Sequence, residues 1–238
     1  MSRGRTRSNI EVSPVYGQLS TSQKMSIANL QMGRMGSVAL DFPDRTDAEI
    51  SEFVCQTQQT LIKPNTPSAL RKPGQRNTNQ LHILASRFGA IVGHLSITDS
   101  VSSKLPHVYG SLERAAKLNI PIEPLLSRRY AAIGHITLSK ASRELMQQQA
   151  ERGSRTFLDD MIFSGLTNGL RQPSQTVTVH PFEQQTWLTD RLAVLGFQHD
   201  QIFEESVPAF GEDSSVELQR WTFKSVAAAV QALRPAER

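Results

Sequence analysis

The chain has 238 residues, 38% of them hydrophobic, which is enough for one sizeable core or a core plus an arm. Its 26 Lys and Arg against 22 Asp and Glu leave a net charge of +4, which admits acidic partners without requiring nucleic acid. The single cysteine, Cys55, excludes an internal disulfide framework and fits a reducing, cytoplasmic setting.

No apolar run is long enough to span a membrane, and the basic start lacks the apolar stretch of a secretory signal. Residues 1–35 carry Arg3, Arg5, Arg7, Lys24 and Arg34 against Glu11 alone. They read as a basic, flexible arm with a short helix near Ser22–Leu30. Ser37–Phe42 reads as the first strand. Thr46-Asp-Ala-Glu49 has capping-box spacing, and Ile50, Phe53, Val54, Thr57 and Leu61 then recur on one helical face. Cys55 is expected to be a small core residue of that helix. The helix should end near Ile62, because Pro64 and Pro67 cannot continue it.

Residues 63–79 are basic and turn-forming and read as a mobile loop. Leu81–Ser86 and Ala90–Thr98 flank Arg87-Phe88-Gly89 as a hairpin. Ser111–Leu118 suggests a short helix before the Pro-containing stretch Asn119–Leu126. Arg128–Leu138 is strand-like. Its run Ala131–Leu138 matches Ala90–Ile97 in pattern, as two neighbouring strands of one sheet with equal burial demands would. Ser142–Arg152 is a polar helix, interrupted at Gly153. Thr156-Phe-Leu-Asp159 starts another, with Phe157, Leu158, Met161, Ile162 and Leu166 on its apolar face. Thr176–His180 is a strand. Leu188, Leu192 and Leu195 line the next helix, which Gly196 is placed to cap. Gln201–Val207 and Ser215–Phe223 are two strands around the turn Ala209–Ser214, and Ser225–Leu233 is a last helix.

Three passages resemble the GNAT acyltransferase superfamily. They are the opening Val38–Val54, the hairpin phrase Phe88–His94, and the strand and helix of Gln175–Phe197 with its Leu-Gly-Phe ending. The resemblance implies a divergent member over residues 36–224, between the arm and the C-terminal helix and tail of residues 225–238. It implies an α/β fold of the α+β kind, a mixed, mostly antiparallel sheet with splayed central strands and flanking helices. In the family, acetyl-CoA or another acyl-CoA lies between the splayed strands and a small-molecule or protein amine attacks its thioester. A backbone N–H near the end of the central strand steadies the oxyanion.

Carried onto this sequence, the cofactor contacts fall on Ile136, Thr137 and Leu138 of the central strand and on His180. They also fall on Arg152, Gly153, Ser154, Arg155 and Thr156, the nearest approach to the family's phosphate loop. That loop has one glycine and follows an extra segment, Lys140–Ala150. The extra segment and the long insert Asp99–Ser127 are expected to shape the acceptor pocket. His135, His94 and Glu144 are the candidate bases, with Glu123 a further acid near the central strand. Leu192 stands where many members place a tyrosine proton donor.

The six histidines and one cysteine show no metal-ligand spacing, so no metal is expected. No Gly-x-Ser-x-Gly elbow or Walker loop is present. Trp187 and Trp221 read as core or interface residues. A homodimer stays open. So do a catalytically silent binding protein of the same fold and a nucleic-acid-binding α/β protein that uses the arm and the loop Lys63–Arg76, the last disfavoured by the low net charge.

Overall fold

The Thr46 capping box forms as its spacing predicts. Thr46 N donates to Glu49 Oε2 at 2.8 Å, and Glu49 N donates back to Thr46 Oγ1 at 3.3 Å. A computed structural model describes residues 10–16, 19–31, 37–62, 80–99, 130–169, 176–179, 181–212, 214–223 and 230–231.

The strands are β1 (Ile10–Tyr16), β2 (Gln80–Arg87), β3 (Ala90–Asp99), β4 (Tyr130–Leu138), β5 (Thr176–Val179), β6 (Gln198–Ser206) and β7 (Ser215–Phe223). The helices are α1 (Thr21–Gln31), α2 (Ser37–Asp41), α3 (Asp47–Ile62), α4 (Lys140–Glu151), α5 (Phe157–Gly169) and α6 (Thr186–Val194), with a 3-10 turn at Pro208–Phe210. The strands form one sheet in the order β1-β2-β3-β4-β5-β7-β6. β4 and β5 run parallel and all other neighbours antiparallel. The expected mixed, mostly antiparallel architecture with flanking helices is the one observed. Ala90–Ile97 and Ala131–Leu138, the two similar runs, lie in the adjacent strands β3 and β4.

Alternation along β2 sends Leu81, Ile83 and Ala85 to one face and His82 and Leu84 to the other. On the first face they join Leu95, Ile97 and Ile133 against Leu158, Met161, Ile162 and Leu166 of α5 in the main core. α5 packs so close that a Cβ built on Gly165 would lie 2.5 Å from Ile97 Cδ1. On the second face Leu84 packs with Leu19 and Ile27, the latter from α1. A smaller core joins Phe42, Ile50, Phe53 and Val54 to Val207, Phe210 and Val216, with Phe182 packed against it.

The turn between β2 and β3 has Phe88 at φ 51° and Gly89 at φ 80°. Two left-handed residues match the twist of a tight hairpin. The Leu-Gly-Phe ending also works as expected. Gly196, at φ 85°, donates to Ala193 O at 3.0 Å, and Phe197 N donates to Leu192 O at 2.9 Å, a Schellman closure of α6.

Three expectations are corrected. Ser37–Phe42 is not a strand: Ser37–Asp41 is helical and Phe42 N donates to Val38 O at 3.1 Å. Its aromatic ring joins the smaller core, where a helical turn puts Val38, Ala39 and Phe42 together. The first strand comes instead from the stretch read as an arm, since Ile10–Tyr16 pairs with β2 along its whole length; the short helix expected near Ser22–Leu30 is present as Thr21–Gln31. Cys55 is exposed, because its neighbour Val54 takes the inward face of α3. The loop of residues 63–79 and the insert after Asp99 lie outside the described residues, as does the last helix apart from helical residues 230–231. Among the described residues no helix is long and apolar enough to cross a membrane.

Candidate active site

β4 and β5 pair from Tyr130↔Thr176 to Ile133↔Val179, and there β5 ends. β4 continues through Gly134–Leu138, still bonded on its other side to β3. Its pairs there are Ser96↔Gly134, His94↔Thr137 and Gly93↔Leu138. Between the first two, β3 contributes Leu95 alone and β4 contributes His135 and Ile136. The central strand therefore bulges where its parallel neighbour stops. A bulge leaves one residue outside the ladder and bends the strand. The two features adjoin on β4, whose residues beyond Ile133 have no β5 partner among the described residues.

Two chain segments follow these parallel strands. After β4, Ser139 caps α4, its Oγ accepting from Ser142 N at 3.2 Å. After β5 comes Phe182, then α6 with Gln185 as its N-cap. Asp41, at the end of α2, ties the two. Its Oδ1 accepts from Arg143 of α4 at 2.7 Å and from Trp187 Nε1 of α6 at 3.2 Å, and its Oδ2 accepts from Gln185 Nε2 at 2.9 Å. The Arg143 guanidinium also lies 4.9 Å from the centre of the Trp187 ring. The Asp41 side chain is 1% exposed. Burial pushes its carboxyl above the usual value, while the Arg143 charge and the donors from Gln185, Trp187 and Arg143 pull it back.

His135 and Ile136, both drawn from the central strand, form the bulge itself. Thr137 and Leu138 follow and are buried, and Ile136 is partly buried. Glu144 is exposed on α4, one residue past Arg143. His94 is 0% exposed; its ring stacks on that of His82, and His82 Nδ1 and His94 Nε2 are 3.0 Å apart. That burial sets His94 within the sheet's covered face, away from solvent. His180 and Glu123 lie outside the described residues. Leu192, in the tyrosine position, is a fully buried core residue.

The loop carrying the phosphate candidates is bonded to itself. Gly153, at φ 63°, donates to Ala150 O at 2.8 Å, and Ser154 N donates to Gln149 O at 3.0 Å. Thr156 N donates to Asp159 Oδ2 at 2.7 Å, Asp159 N to Thr156 Oγ1 at 3.3 Å, and Phe157 N to Gln149 Oε1 at 3.2 Å. Arg155 Nε donates to Asp160 at 2.5 Å, and the guanidinium faces the Phe163 ring. Asp159 is in turn gripped by Arg191 of α6 through two contacts, Nε to Oδ1 at 2.7 Å and Nη2 to Oδ2. Arg152 is exposed. Among the described residues no group of three His, Cys, Asp or Glu could hold a metal.

Sequence reasoning missed Asp41, His82 and the Asp159–Arg191 pair. Asp41 sat in a run read as a strand, so its burial had no visible signal. Thr156-x-x-Asp159 has capping-box spacing with Asp in the acid's place, and that was the available clue.

No family model matches the sequence, and no curated protein matches it. A search of solved structures finds matches at low identity. An acetyltransferase of the GNAT family from Bacillus cereus is 10% identical, with 90% of this chain and 98% of that one covered and a TM-score of 0.44. An acyl-CoA N-acyltransferase from Pseudomonas aeruginosa is 13% identical, with 90% and 98% covered and a TM-score of 0.42. A protein from Streptococcus mutans is 12% identical, with 90% and 98% covered and a TM-score of 0.45. Identities and TM-scores this low assign no activity.

Proposed function

We propose that this chain is a divergent GNAT-like acyltransferase that moves an acetyl or longer acyl group from a thioester, acyl-CoA in the family, to an amine. One observation carries the reading: β4 is bulged at His135–Ile136, just beyond its last pair with the described residues of the parallel strand β5. The open edge of β4 suits the amide-bearing arm of a pantetheine thioester, which can pair with it as an added strand does. The bulge supplies an amide outside the ladder, placed to receive the carbonyl oxygen as charge develops on it.

In this reading the amine nitrogen attacks the thioester carbon directly. The C–N bond forms, the C–S bond breaks, and the proton lost by the amine balances the thiolate that leaves. The bulge residue His135 is the base we place first, with Glu144 on the exposed face of α4 as the alternative acid–base group. Buried His94 backs the bulge from β3 through its pairing with Thr137. Leu192 offers no proton, so the thiolate takes its proton from the base or from water.

The test is thiol release. Acetyl-, hexanoyl- and palmitoyl-CoA are offered with a panel of primary amines, and free thiol and amide product are measured together. Amide formation in step with thiol supports the reading, and no thiol release with any pair sinks it. A silent protein of the same fold is the second reading, favoured by Leu192 and the self-bonded loop. It predicts that acyl-CoA raises the melting temperature while no thiol appears.

A further inference from the structure

Past their last shared pair, Ile133↔Val179, β4 and β5 each keep their outer neighbour. β4 stays bonded to β3 as far as Leu138, and Ser139 N then donates to Val92 O at 2.9 Å. The chain after β5 stays on β7, where Gln219 N donates to Pro181 O at 2.9 Å and Glu183 N donates to Glu217 O at 3.0 Å. Backbone bonds therefore tie each strand's exit to its own side of the sheet, and side chains carry a link from one exit to the other.

That link is continuous. Phe182 N, in the segment after β5, donates to Gln185 Oε1 at 3.1 Å. The other end of the same amide, Gln185 Nε2, donates to Asp41 Oδ2 at 2.9 Å. Asp41 Oδ1 accepts from Arg143 at 2.7 Å, and Arg143 N donates to Ser139 O at 2.9 Å in the first turn of α4. Backbone just past β5 is thus joined to backbone just past β4 through a carboxylate supplied by α2.

Strength alone does not call for a buried carboxylate here. Its desolvation offsets much of the attraction, and apolar side chains of similar volume in such a place often give equal or greater stability. What the carboxylate adds is direction. Donors from Arg143, Gln185 and Trp187 meet it at hydrogen-bond distance and hold α2, α4 and α6 at set separations. The Asp41 and Arg143 side chains are 1% and 13% exposed, so water competes little for these bonds.

We propose, resting on the acyltransferase reading above, that Asp41 is a positioning residue for the donor. With Arg143 and Gln185 it sets the spacing of the two strand exits, and that spacing fits the pantetheine arm of the thioester.

The test uses the full chain and whichever of acetyl-, hexanoyl- and palmitoyl-CoA releases most thiol with the wild type. Donor Kd is measured by calorimetry and compared with steady-state kinetics for three variants. Asp41→Leu with Arg143→Met removes both charges while filling the space. Gln185→Met cuts only the link to the β5 side and leaves the Asp41–Arg143 pair intact, so it decides the matter if the double variant fails to fold. Gly165→Ala strains the main core without touching the link. In both link variants donor Kd and KM should rise about tenfold or more, while kcat at saturating donor and KM for the amine stay within about threefold. Gly165→Ala should bind the donor as the wild type does. An unchanged donor Kd in the folded link variants, or an equal rise in Gly165→Ala, makes the network a fastening of the fold only; it overturns the proposal and leaves the acyltransferase reading standing. A wild type that releases no thiol from any of the donors removes both.

Discussion

Arg143 donates to Asp41 at 2.7 Å and so fastens the helix that follows β4 to the short helix near the beginning of the fold. The two residues are 102 positions apart in sequence. Asp41 also accepts from Gln185 and Trp187, so one carboxylate joins the segments that leave both parallel strands.

Removing one member of this pair should therefore be severe. Asp41→Ala leaves a mostly buried guanidinium without its carboxylate, and such a break destabilises by about 3–5 kcal/mol. Replacing both, as Asp41→Leu with Arg143→Met, should cost clearly less than the single change, because no stranded charge remains. Urea unfolding of the three variants reads this directly. A double variant as unstable as Asp41→Ala would show that packing, not charge, sets the loss.

The same carboxylate sets a pH trend. Burial raises the Asp41 carboxyl above its ordinary 3.8, so the folded chain holds this proton more tightly than the unfolded chain does. The resulting stability is fully present below 3.8 and is lost as pH rises through the folded-state value. Wild type measured against Asp41→Asn should lose relative stability as pH climbs from that point. A relative gain over the same climb would mean that the donors around Asp41 outweigh its burial.

Gly165→Ala tests the approach of α5 to the sheet. The new Cβ would stand 2.5 Å from Ile97 Cδ1 and 3.5 Å from Ile83 Cγ1. Overpacking of this kind destabilises by about 1–3 kcal/mol, set against up to about 1 kcal/mol of helix propensity gained. Ile97→Val removes the clashing carbon, so adding it to Gly165→Ala should recover part of the loss in melting temperature. No recovery would place the strain elsewhere in α5.

His135→Gln bears on the chemistry. If His135 is the base, kcat/KM falls by about a hundredfold or more and the acid limb of the pH–rate profile disappears, with KM little changed. An unchanged profile would move the role to Glu144, whose Gln variant is then the one to profile.

The elements that were legible in sequence are those that local chemistry decides. Thr46 and Glu49 are three residues apart and bond to each other, and Phe88-Gly89 turns the chain within one hairpin. Gly196 ends its helix through bonds to Ala193 and Leu192. What stayed hidden was decided by distant partners. Ser37–Asp41 is apolar and short, a length at which strand and helix patterns coincide, and its helical form is settled by packing of Phe42 on Phe53, Phe182 and Phe210. In β1 the alternation Ile10-Glu11-Val12-Ser13 was present, but the basic composition of residues 1–35 pointed to an arm. The bulge had no sequence signal, because it depends on which β4 residues face Leu95.

β1 also has a consequence for how the chain is made. It lies at an edge of the sheet, bonded to β2 alone among the described strands, with Pro14 opposite Ile83. It leaves the ribosome well before β2 exists, so the young chain carries a strand that must wait for its partner. A waiting strand with a full row of N–H donors would be a template for the same strand of another copy. Pro14 removes one donor from the middle of that row and makes β1 a poor seed for aggregation during synthesis.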